Sequence, residues 1–454
     1  MGSSLNISRG MAVASAAMLF RGRRAAGDEL VDQYTRRFAQ AVLGDESIPC
    51  MAFWRGRVAL WTILRAAGVG EGDEVVLPAY TCEMVPAAVK FTGAKCVYAD
   101  VQVSRASRPR VARASCPHEC VAADDVTTSD FAPSVESLLT CVTPRTKAIL
   151  VQHTYGIIGP VGQLRAKLGR QALMERSGSE PDLSDSASPR IIEDCCQAVL
   201  NGHACRGGDA SFFSMQWNKP FTTGLGGVAA FNNAELARRA ALIADTFDRS
   251  GDRSRARSLA MQSLVYWLTV RPATRGLISR LYRWAQAMRL VKGTTTAQEY
   301  GDAMPADYLA RGLNIQARLG LKQLDRWPAN VAHRGTLTRL YLDGLAKMNA
   351  ASARLAEAAG DQPLWVVPLL VENKPELLEL ATRHRLPLAT WFGRPPMHVA
   401  PESANRYDFS PGQCPRSEAM FMREVHLLTA PGVTTDKAEA ALAMLRRHAR
   451  FGPE

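Results

Sequence analysis

The sequence contains no apolar run that approaches the ~20 residues needed for a membrane-spanning helix. Residues 11–20 are apolar, but this stretch is short, and Arg21, Arg23 and Arg24 follow it. A secretory signal carries its basic residues before the apolar stretch, so the observed order argues against secretion. We therefore expect a cytoplasmic protein.

The ten cysteines form no paired C-x-x-C pattern, and this absence disfavours a structural zinc site. Cys116 and Cys120 flank His118 in an irregular segment, which leaves open a small Cys/His metal site. Free thiols are the more ordinary state of cysteine in a cytosolic protein, and we predict no bound metal.

Clustered charge is also scarce, although the formal net charge is +12. Nucleic-acid binders concentrate basic residues in a run or stripe, whereas most arginines here are scattered. The charge therefore favours an anionic small substrate over a nucleic acid. Basic and aromatic residues alternate at helical spacing only within 253–293. This segment predicts either a helical hairpin packed on its own domain or an amphipathic surface that contacts a membrane or a partner.

In place of repeats or heptads, the chain shows short apolar strands that alternate with helices. Such alternation is typical of βα units and predicts an α/β fold with a large, mainly parallel sheet between helices. The predicted helices are 28–43, Gly56–Ala67, Tyr80–Phe91 and Asn314–Met348. The predicted strands are Glu74–Leu77, Lys95–Val101, Ala148–His153, Ile191–Asp194, Ala210–Ser214 and Gly227–Phe231.

With 454 residues and 47% hydrophobic composition, the chain can bury more than one core. We expect a poorly ordered arm over 1–27, which with the following helix makes up residues 1–45. A large domain should cover 46–325, and a smaller C-terminal α/β domain should cover 326–454. Three segments break the pattern and are predicted insertions, near 104–128, 176–189 and 250–305.

Two polar residues stand out at the ends of predicted strands. Asp194 ends one strand, at the edge where α/β sheets bind ligands, although it could simply cap the segment that follows. Lys219 lies between an apolar strand and a Thr-Thr-Gly turn. Enclosure there would lower its pKa and suit it to act as a nucleophile and base, whereas a solvated turn lysine is the alternative.

Six short motifs occur in order along the chain: residues 55–60, 72–81, 146–156, 193–198, 208–227 and 314–327. Together they resemble the DegT/DnrJ/StrS sugar aminotransferases, a branch of the fold-type-I enzymes that use pyridoxal 5'-phosphate (PLP). The resemblance implies the aspartate-aminotransferase-like fold of PLP-dependent transferases, with a smaller C-terminal α/β domain. It also implies a homodimer.

The resemblance assigns roles to individual residues. Lys219 would form the Schiff base and act as the general acid and base, Asp194 would bind the pyridine nitrogen, and Gln197 would bind the ring hydroxyl. The phosphate would be held by Ser214, Gly56 and Arg57. His153 would lie near the cofactor, with a buried, hydrogen-bonded core histidine as the alternative.

Three positions depart from the family pattern. Cys82 stands where an aromatic residue often stacks on the cofactor ring, so Tyr80 or His153 could substitute. Leu225 replaces a glutamate, and Leu309 replaces an asparagine that reaches a neighbouring subunit, although Arg311 keeps the nearby arginine. Family members that dehydrate a sugar carry histidine at the lysine position, so Lys219 argues for amination.

The expected activity is transfer of an amino group, from glutamate in the simplest case, to a keto-sugar that is carried on a nucleotide. A cyclitol, another cyclic ketone or a lipid-linked ketone is the alternative on the same fold. A non-catalytic relative that binds PLP or a sugar, and a membrane scaffold built on 253–293, are rivals of a different class.

Overall fold

The computed structural model describes residues 11–13, 15–16, 28–101, 131, 133–176, 188–269, 303–391 and 401–452. Three predicted features lie outside these residues in whole or in part. They are the 104–128 insertion with Cys116, His118 and Cys120, most of 176–189, and residues 270–293 of the basic aromatic segment.

A seven-stranded sheet forms the larger half of the fold. Its strands are β1 Cys50–Phe53, β2 Glu74–Pro78, β3 Lys95–Ala99, β4 Thr146–Gln152, β5 Arg190–Asp194, β6 Ala210–Ser214 and β7 Gly227–Phe231, in the spatial order β1-β7-β6-β5-β4-β2-β3. The pairings from β3 through β2, β4 and β5 to β6 are parallel, whereas β7 is antiparallel to both β6 and β1. The predicted large, mainly parallel sheet is confirmed.

Helices cover both faces of this sheet. The helices up to residue 269 are α1 Glu29–Phe38 with its π-helical extension Ala39–Leu43, α2 Gly56–Ala66, α3 Met84–Lys90, α4 Val135–Leu139, α5 Val161–Arg176, α6 Ala234–Asp245 and α7 Asp252–Thr269. Val75 and Leu77 of β2 pack under α2 and α3, whereas Val76 packs under α4 and α5. Because successive strand side chains point to opposite faces, this pattern buries β2 on both sides.

A second, three-stranded sheet lies nearer the C-terminus. Its strands β8 Val366–Leu370, β9 Leu388–Ala389 and β10 Glu424–Leu428 are antiparallel, with β10 in the centre. The accompanying helices are α8 Asn314–Leu324, α9 Trp327–Ala346, α10 Ala350–Ala359, α11 Lys374–Arg383, α12 Pro415–Arg423 and α13 Thr435–His448. One apolar core runs from α1 to this sheet and joins it to the large sheet.

Two predicted helices are wrong in their bounds. The helix predicted at Tyr80–Phe91 begins only at Met84, because Gln152 holds the preceding turn: its amide donates to Tyr80 O at 3.0 Å, and its carbonyl accepts from Thr81 Oγ1 at 2.6 Å. The long helix Asn314–Met348 is two helices, α8 and α9. Pro328 stands in the first turn of α9, where the missing N–H of proline costs nothing.

The N-terminal arm is corrected at one point. Met11 is fully buried in a core with Leu259 of α7 and with Ile315 and Leu319 of α8. The arm is therefore packed there, contrary to the expected disorder. Within the described parts of the chain, every helix is too short or too polar to cross a bilayer.

Candidate active site

The carboxyl edge of the parallel strands collects most of the predicted site residues. Asp194 ends β5, Ser214 ends β6, and His153 directly follows β4. Gly56 begins α2 just after β1. Parallel strands place their carboxyl ends at one edge, and this edge is where open α/β sheets bind ligands.

The start of α2 and Ser214 form one end of the site. Arg55 is extended, and the helix begins at Gly56, so the helix offers no acceptor to its first N–H groups, whereas Val58 N already donates to Arg55 O at 3.1 Å. A side-chain carbon added to Gly56 would lie only 3.0 Å from Cα and Cβ of Ser214. Arg57 is buried and contacts Met84 Sδ through its guanidinium. The structure therefore brings Gly56, Arg57 and Ser214 together at a helix N-terminus, which suits an anion.

Gly227 permits this close packing. A side-chain carbon at Gly227 would lie 2.5 Å from both N and Cα of Gly56, which real structures do not tolerate. We expect Gly227→Ala to push the start of α2 away, to lower the free energy of unfolding by about 1–3 kcal/mol and to weaken phosphate binding.

The measurement is thermal unfolding with and without inorganic phosphate, beside Gly162→Ala. Gly162 is in α5, and a carbon added there meets nothing within 4 Å. Helix propensity should keep or raise the stability of that control. A melting temperature of Gly227→Ala equal to that of the wild type would contradict the close approach.

Lys219 lies in the turn between β6 and β7, where its N–H donates to Gln216 O at 3.0 Å. It is only 6% exposed, and its Nζ is 4.8 Å from the ring centroid of Trp365 and 4.9 Å from that of Trp391. The enclosed lysine is therefore the arrangement found, and the solvated turn lysine is not. Beside it, Asn218 Oδ1 is buried with no hydrogen-bond partner among the described residues.

Asp194 is buried, and one oxygen of its carboxylate accepts from Cys196 N at 2.9 Å. This contact is the capping interaction that was the alternative interpretation of Asp194, and it uses only the Oδ1 oxygen of the carboxylate. Burial raises the pKa of Asp194, although the Cys196 N–H and the charge of Lys219 act in the opposite direction. A buried carboxylate of this kind is stabilised by a cationic N–H placed against it.

Gln197 is oriented by a strained turn. Its Oε1 accepts from Tyr155 N at 2.6 Å, which leaves its amide NH₂ to donate elsewhere. Tyr155 has φ +61°, a conformation uncommon for residues with a side chain, and its O accepts from Trp365 N at 3.0 Å. The Tyr155 turn thus connects Gln197 to the small sheet.

His153 adopts the core-histidine arrangement. Its Nδ1 accepts from Gly159 N at 2.9 Å, and its Nε2 pairs with Glu193 Oε2 at 2.8 Å. Cys195 and Cys205 are buried beside it, with potential ligand atoms of all three residues within 4.8 Å. No spacing of His and Cys residues predicted this cluster. Because both ring nitrogens are already bonded, a metal ion would have to displace one of these partners.

Tyr80 and His153, the two residues expected to stack on the cofactor ring in place of an aromatic at position 82, both make other contacts. Tyr80 bonds to the hydroxyl of Tyr155 at 2.8 Å, and its ring centroid lies 4.6 Å from that of Phe421. Cys82 itself carries a neutral thiol, because burial raises its pKa. Of the other departures, Leu225 is a buried core residue, Leu309 packs at the edge of the core under α2, and Arg311 pairs with Asp245 at 2.8 Å.

Four residues of this region were missed from the sequence: Trp365 and Trp391, whose rings lie near Lys219, and Asn330 and Arg334, which link Pro220 to Trp365. Asn330 and Arg334 are in α9, Trp365 directly precedes β8, and Trp391 follows β9. More than 100 residues separate them from Lys219, and no motif marked them.

Comparison with known proteins matches the chain to the model of the DegT/DnrJ/EryC1/StrS aminotransferase family over residues 15–109, 116–261 and 280–446. One relative, the L-glutamine:2-deoxy-scyllo-inosose aminotransferase of Streptoalloteichus tenebrarius, is 30% identical over 214 residues, which are 46% of this chain and 41% of that protein. The UDP-N-acetyl-3-dehydro-alpha-D-glucosamine 3-aminotransferase of Acidithiobacillus ferrooxidans is 31% identical over 189 residues, 40% of each chain. The alignments thus span about two fifths of these relatives.

Among solved structures, Spr1654 from Streptococcus pneumoniae in its PLP form is similar to this chain, with a TM-score of 0.62 and 18% sequence identity. The superposition covers 98% of this chain and 97% of that one. The expected PLP-dependent transferase fold is therefore confirmed.

Proposed function

Because the chain belongs to the DegT/DnrJ/EryC1/StrS aminotransferase family, we propose that it is a PLP-dependent aminotransferase. An amino acid, glutamate in the simplest case, donates the amino group, and a keto-sugar carried on a nucleotide receives it. The observation that carries this proposal is the burial of Lys219 within electrostatic reach of the buried Asp194, at the carboxyl edge of the large sheet.

The residues present fit PLP in three places. The N-terminus of α2 with Ser214 suits a phosphate, and the buried carboxylate of Asp194, whose pKa is raised by burial, suits a cationic N–H placed against it. Asn218 Oδ1, buried without a hydrogen-bond partner among the described residues, adds an unmatched acceptor next to Lys219. PLP, when bound, supplies an electron sink conjugated to the reacting carbon of the substrate.

Each side chain then has a defined task. Lys219 Nζ would hold the cofactor covalently between turnovers and would move a proton to and from the reacting carbon. Asp194 would keep the pyridine nitrogen protonated, and the NH₂ of Gln197 would donate to the ring hydroxyl. Gly56, Arg57 and Ser214 would bind the phosphate.

Two further residues act by position. The backbone N–H of His153 donates to the backbone O of Asp194 at 3.1 Å, and the imidazole pairs with Glu193 Oε2 at 2.8 Å, so His153 fixes the strand end that carries the carboxylate. Cys82 provides a small neutral wall beside the cofactor ring, where it leaves more room than an aromatic side chain.

Two substrate classes are supported by relatives. The enzyme from A. ferrooxidans is named for a UDP-linked keto-sugar, and that from S. tenebrarius for the cyclitol ketone 2-deoxy-scyllo-inosose with glutamine as donor. The net charge of +12 suits an anionic nucleotide, so we place the nucleotide-linked keto-sugar first. The cyclitol is the second candidate.

The wider organisation is also a proposal. We infer a cytoplasmic homodimer with the large domain at 46–325 and the smaller one at 326–454. The two sheets, at 50–231 and 366–428, support this division. A sedimentation mass equal to one chain would refute the dimer.

The rival functions have less support. The buried Lys219 and Asp194 count against a non-catalytic PLP or sugar binder. Leu259 and Ala260 of α7 are buried in a core with Ile315 of α8, which favours the packed-helix interpretation of the described part of 253–293 over a membrane surface.

The test is the visible absorbance of protein reconstituted with PLP. Glutamate should bleach the band of the lysine-bound cofactor, and a UDP-linked keto-hexose should restore it. Glutamine and 2-deoxy-scyllo-inosose are the parallel donor and acceptor, and restoration by the cyclitol alone would favour the second candidate. A wild-type protein that takes up no PLP would refute the proposal.

A further inference from the structure

Two tryptophans line the place where the reaction occurs. The rings of Trp365 and Trp391 meet edge to face, with centroids 4.4 Å apart and an interplanar angle of 77°. The Nζ of Lys219 lies at almost equal distances from both, 4.8 and 4.9 Å. A ring-shaped acceptor bound beside this nitrogen would therefore have an indole face within reach.

The tryptophans are held rigidly with respect to the lysine. The backbone N–H of Trp365 donates to the backbone O of Tyr155. The backbone O of Trp365 accepts from Arg334 Nη1 at 3.2 Å and from Thr429 Oγ1 at 2.7 Å. Thr390, the residue before Trp391, donates to Glu424 Oε2 at 2.9 Å. The rings are thus positioned before any ligand arrives, which lowers the cost of binding.

One chain of hydrogen bonds joins this pair to the lysine turn. Asn330 Nδ2 donates to Pro220 O at 3.1 Å, next to Lys219, and Asn330 Oδ1 accepts from Arg334 Nε at 3.0 Å. Arg334 is fully buried, and burial lowers its pKa to about 9. A buried guanidinium is costly, and here it ties the lysine turn to Trp365.

The chemistry of indole identifies what can bind there. Its faces carry negative potential, so they attract a cation and disfavour the carboxylates of an amino-acid donor. They also pack against apolar C–H surfaces, and a polyhydroxylated six-membered ring has such a surface on its axial face. Nζ of Lys219 lies over both rings, which shows that an amine can reach them.

We propose that Trp365 and Trp391 form the specificity-determining wall for the acceptor, a six-membered polyhydroxylated ring ketone, and bind its amine product through the ammonium. This inference rests on the proposed aminotransferase function and names its acceptor site. A free cyclitol and a nucleotide-linked hexose share this ring chemistry.

Calorimetric titration of the PLP-loaded protein tests the wall, with 2-deoxy-scyllo-inosamine, a UDP-linked 3-amino-hexose and glutamate as separate ligands. Trp391 is the main target because it is only partly buried, and Trp365→Phe is a second variant that keeps a ring in the core. We expect Trp391→Ala to weaken whichever ring amine the wild type binds by about 10- to 100-fold. Trp391→Phe should keep most of the affinity, and the affinity for glutamate should change by less than about twofold.

Trp267→Ala is the matched control, since Trp267 is a partly buried tryptophan of α7. The proposed wall would be refuted if Trp391→Ala bound the ring amine as tightly as the wild type, or if it lost as much affinity for glutamate as for the ring amine. Either result would leave the proposed aminotransferase function standing. Failure of the wild type to load PLP would overturn the proposed function and the wall together.

Discussion

Replacement of Lys219 by alanine should abolish covalent attachment of PLP and lower transamination by at least about 10⁴-fold. The lysine is expected to act twice, as the nucleophile that holds the cofactor and as the base that moves the proton. Asn218 and Gln216 neighbour it, but amide side chains cannot take either role. Borohydride reduction followed by peptide mass spectrometry should find the cofactor on Lys219 in the wild type and on no lysine in the variant.

Lys322→Ala is the control for this experiment. Lys322 is on α8, is half exposed and pairs with Asp325 at 3.4 Å, so its loss should change neither labelling nor rate. The variant Lys219→Ala should still bind PLP non-covalently, because the helix N-terminus and Asp194 remain. Label on a different lysine in the wild type would refute the assignment, even if the enzyme were active.

The strands next to Lys219 could be predicted from the sequence to the residue. Ala210–Ser214 and Gly227–Phe231 are apolar runs bounded by turn residues, and the structure has these same bounds. Buried strands are short and apolar throughout, so little else can compete for such a segment. The place of Asp194 was predictable for the same reason, because a polar residue that ends a buried strand faces the carboxyl edge, whereas Ser214 was suggested only by the family resemblance.

Helix bounds were less predictable because tertiary contacts decide them. Residues 80–83 have no local signal against a helix, and the turn there depends on Gln152, about 70 residues away in the chain. Pro328 does carry a signal, since a proline interrupts a helix, and the leucine and alanine periodicity across it concealed the break.

The residues around Lys219 show where prediction from a single sequence ends. Trp365 and Trp391 lie near the lysine because the chain around the small sheet packs on the large one, where Trp365 N donates to Tyr155 O. Their separation from Lys219 in the chain exceeds any motif. The strained φ of Tyr155 likewise has no sequence signal, because a tyrosine before a glycine is compatible with many conformations.

Asp194→Asn should lower transamination by about 10²–10³-fold without destabilising the cofactor-free protein. Asparagine keeps the volume and the oxygen that accepts from Cys196 N, so the capping contact at 2.9 Å can persist. The substitution removes the negative charge that holds the proton on the pyridine nitrogen. A loss of less than about tenfold would mean that Asp194 serves mainly as a cap.

The pH dependence of stability separates the role of Asp194 as partner of the pyridine nitrogen from its role as a cap. Burial raises the pKa of Asp194 in the folded protein, so its contribution favours folding at low pH and is lost as the pH rises through that raised pKa. Asp194→Asn lacks this ionisation, and its cofactor-free form should therefore match or exceed the wild type in melting temperature at neutral pH. Asp325→Asn, which changes an exposed carboxylate paired with Arg37, should leave both the rate of transamination and the pH profile of stability unaltered.

Bound PLP should reverse the order of stability of the wild type and Asp194→Asn, because the pyridine N–H then stabilises the carboxylate. The wild type should gain more stability from the cofactor than Asp194→Asn does.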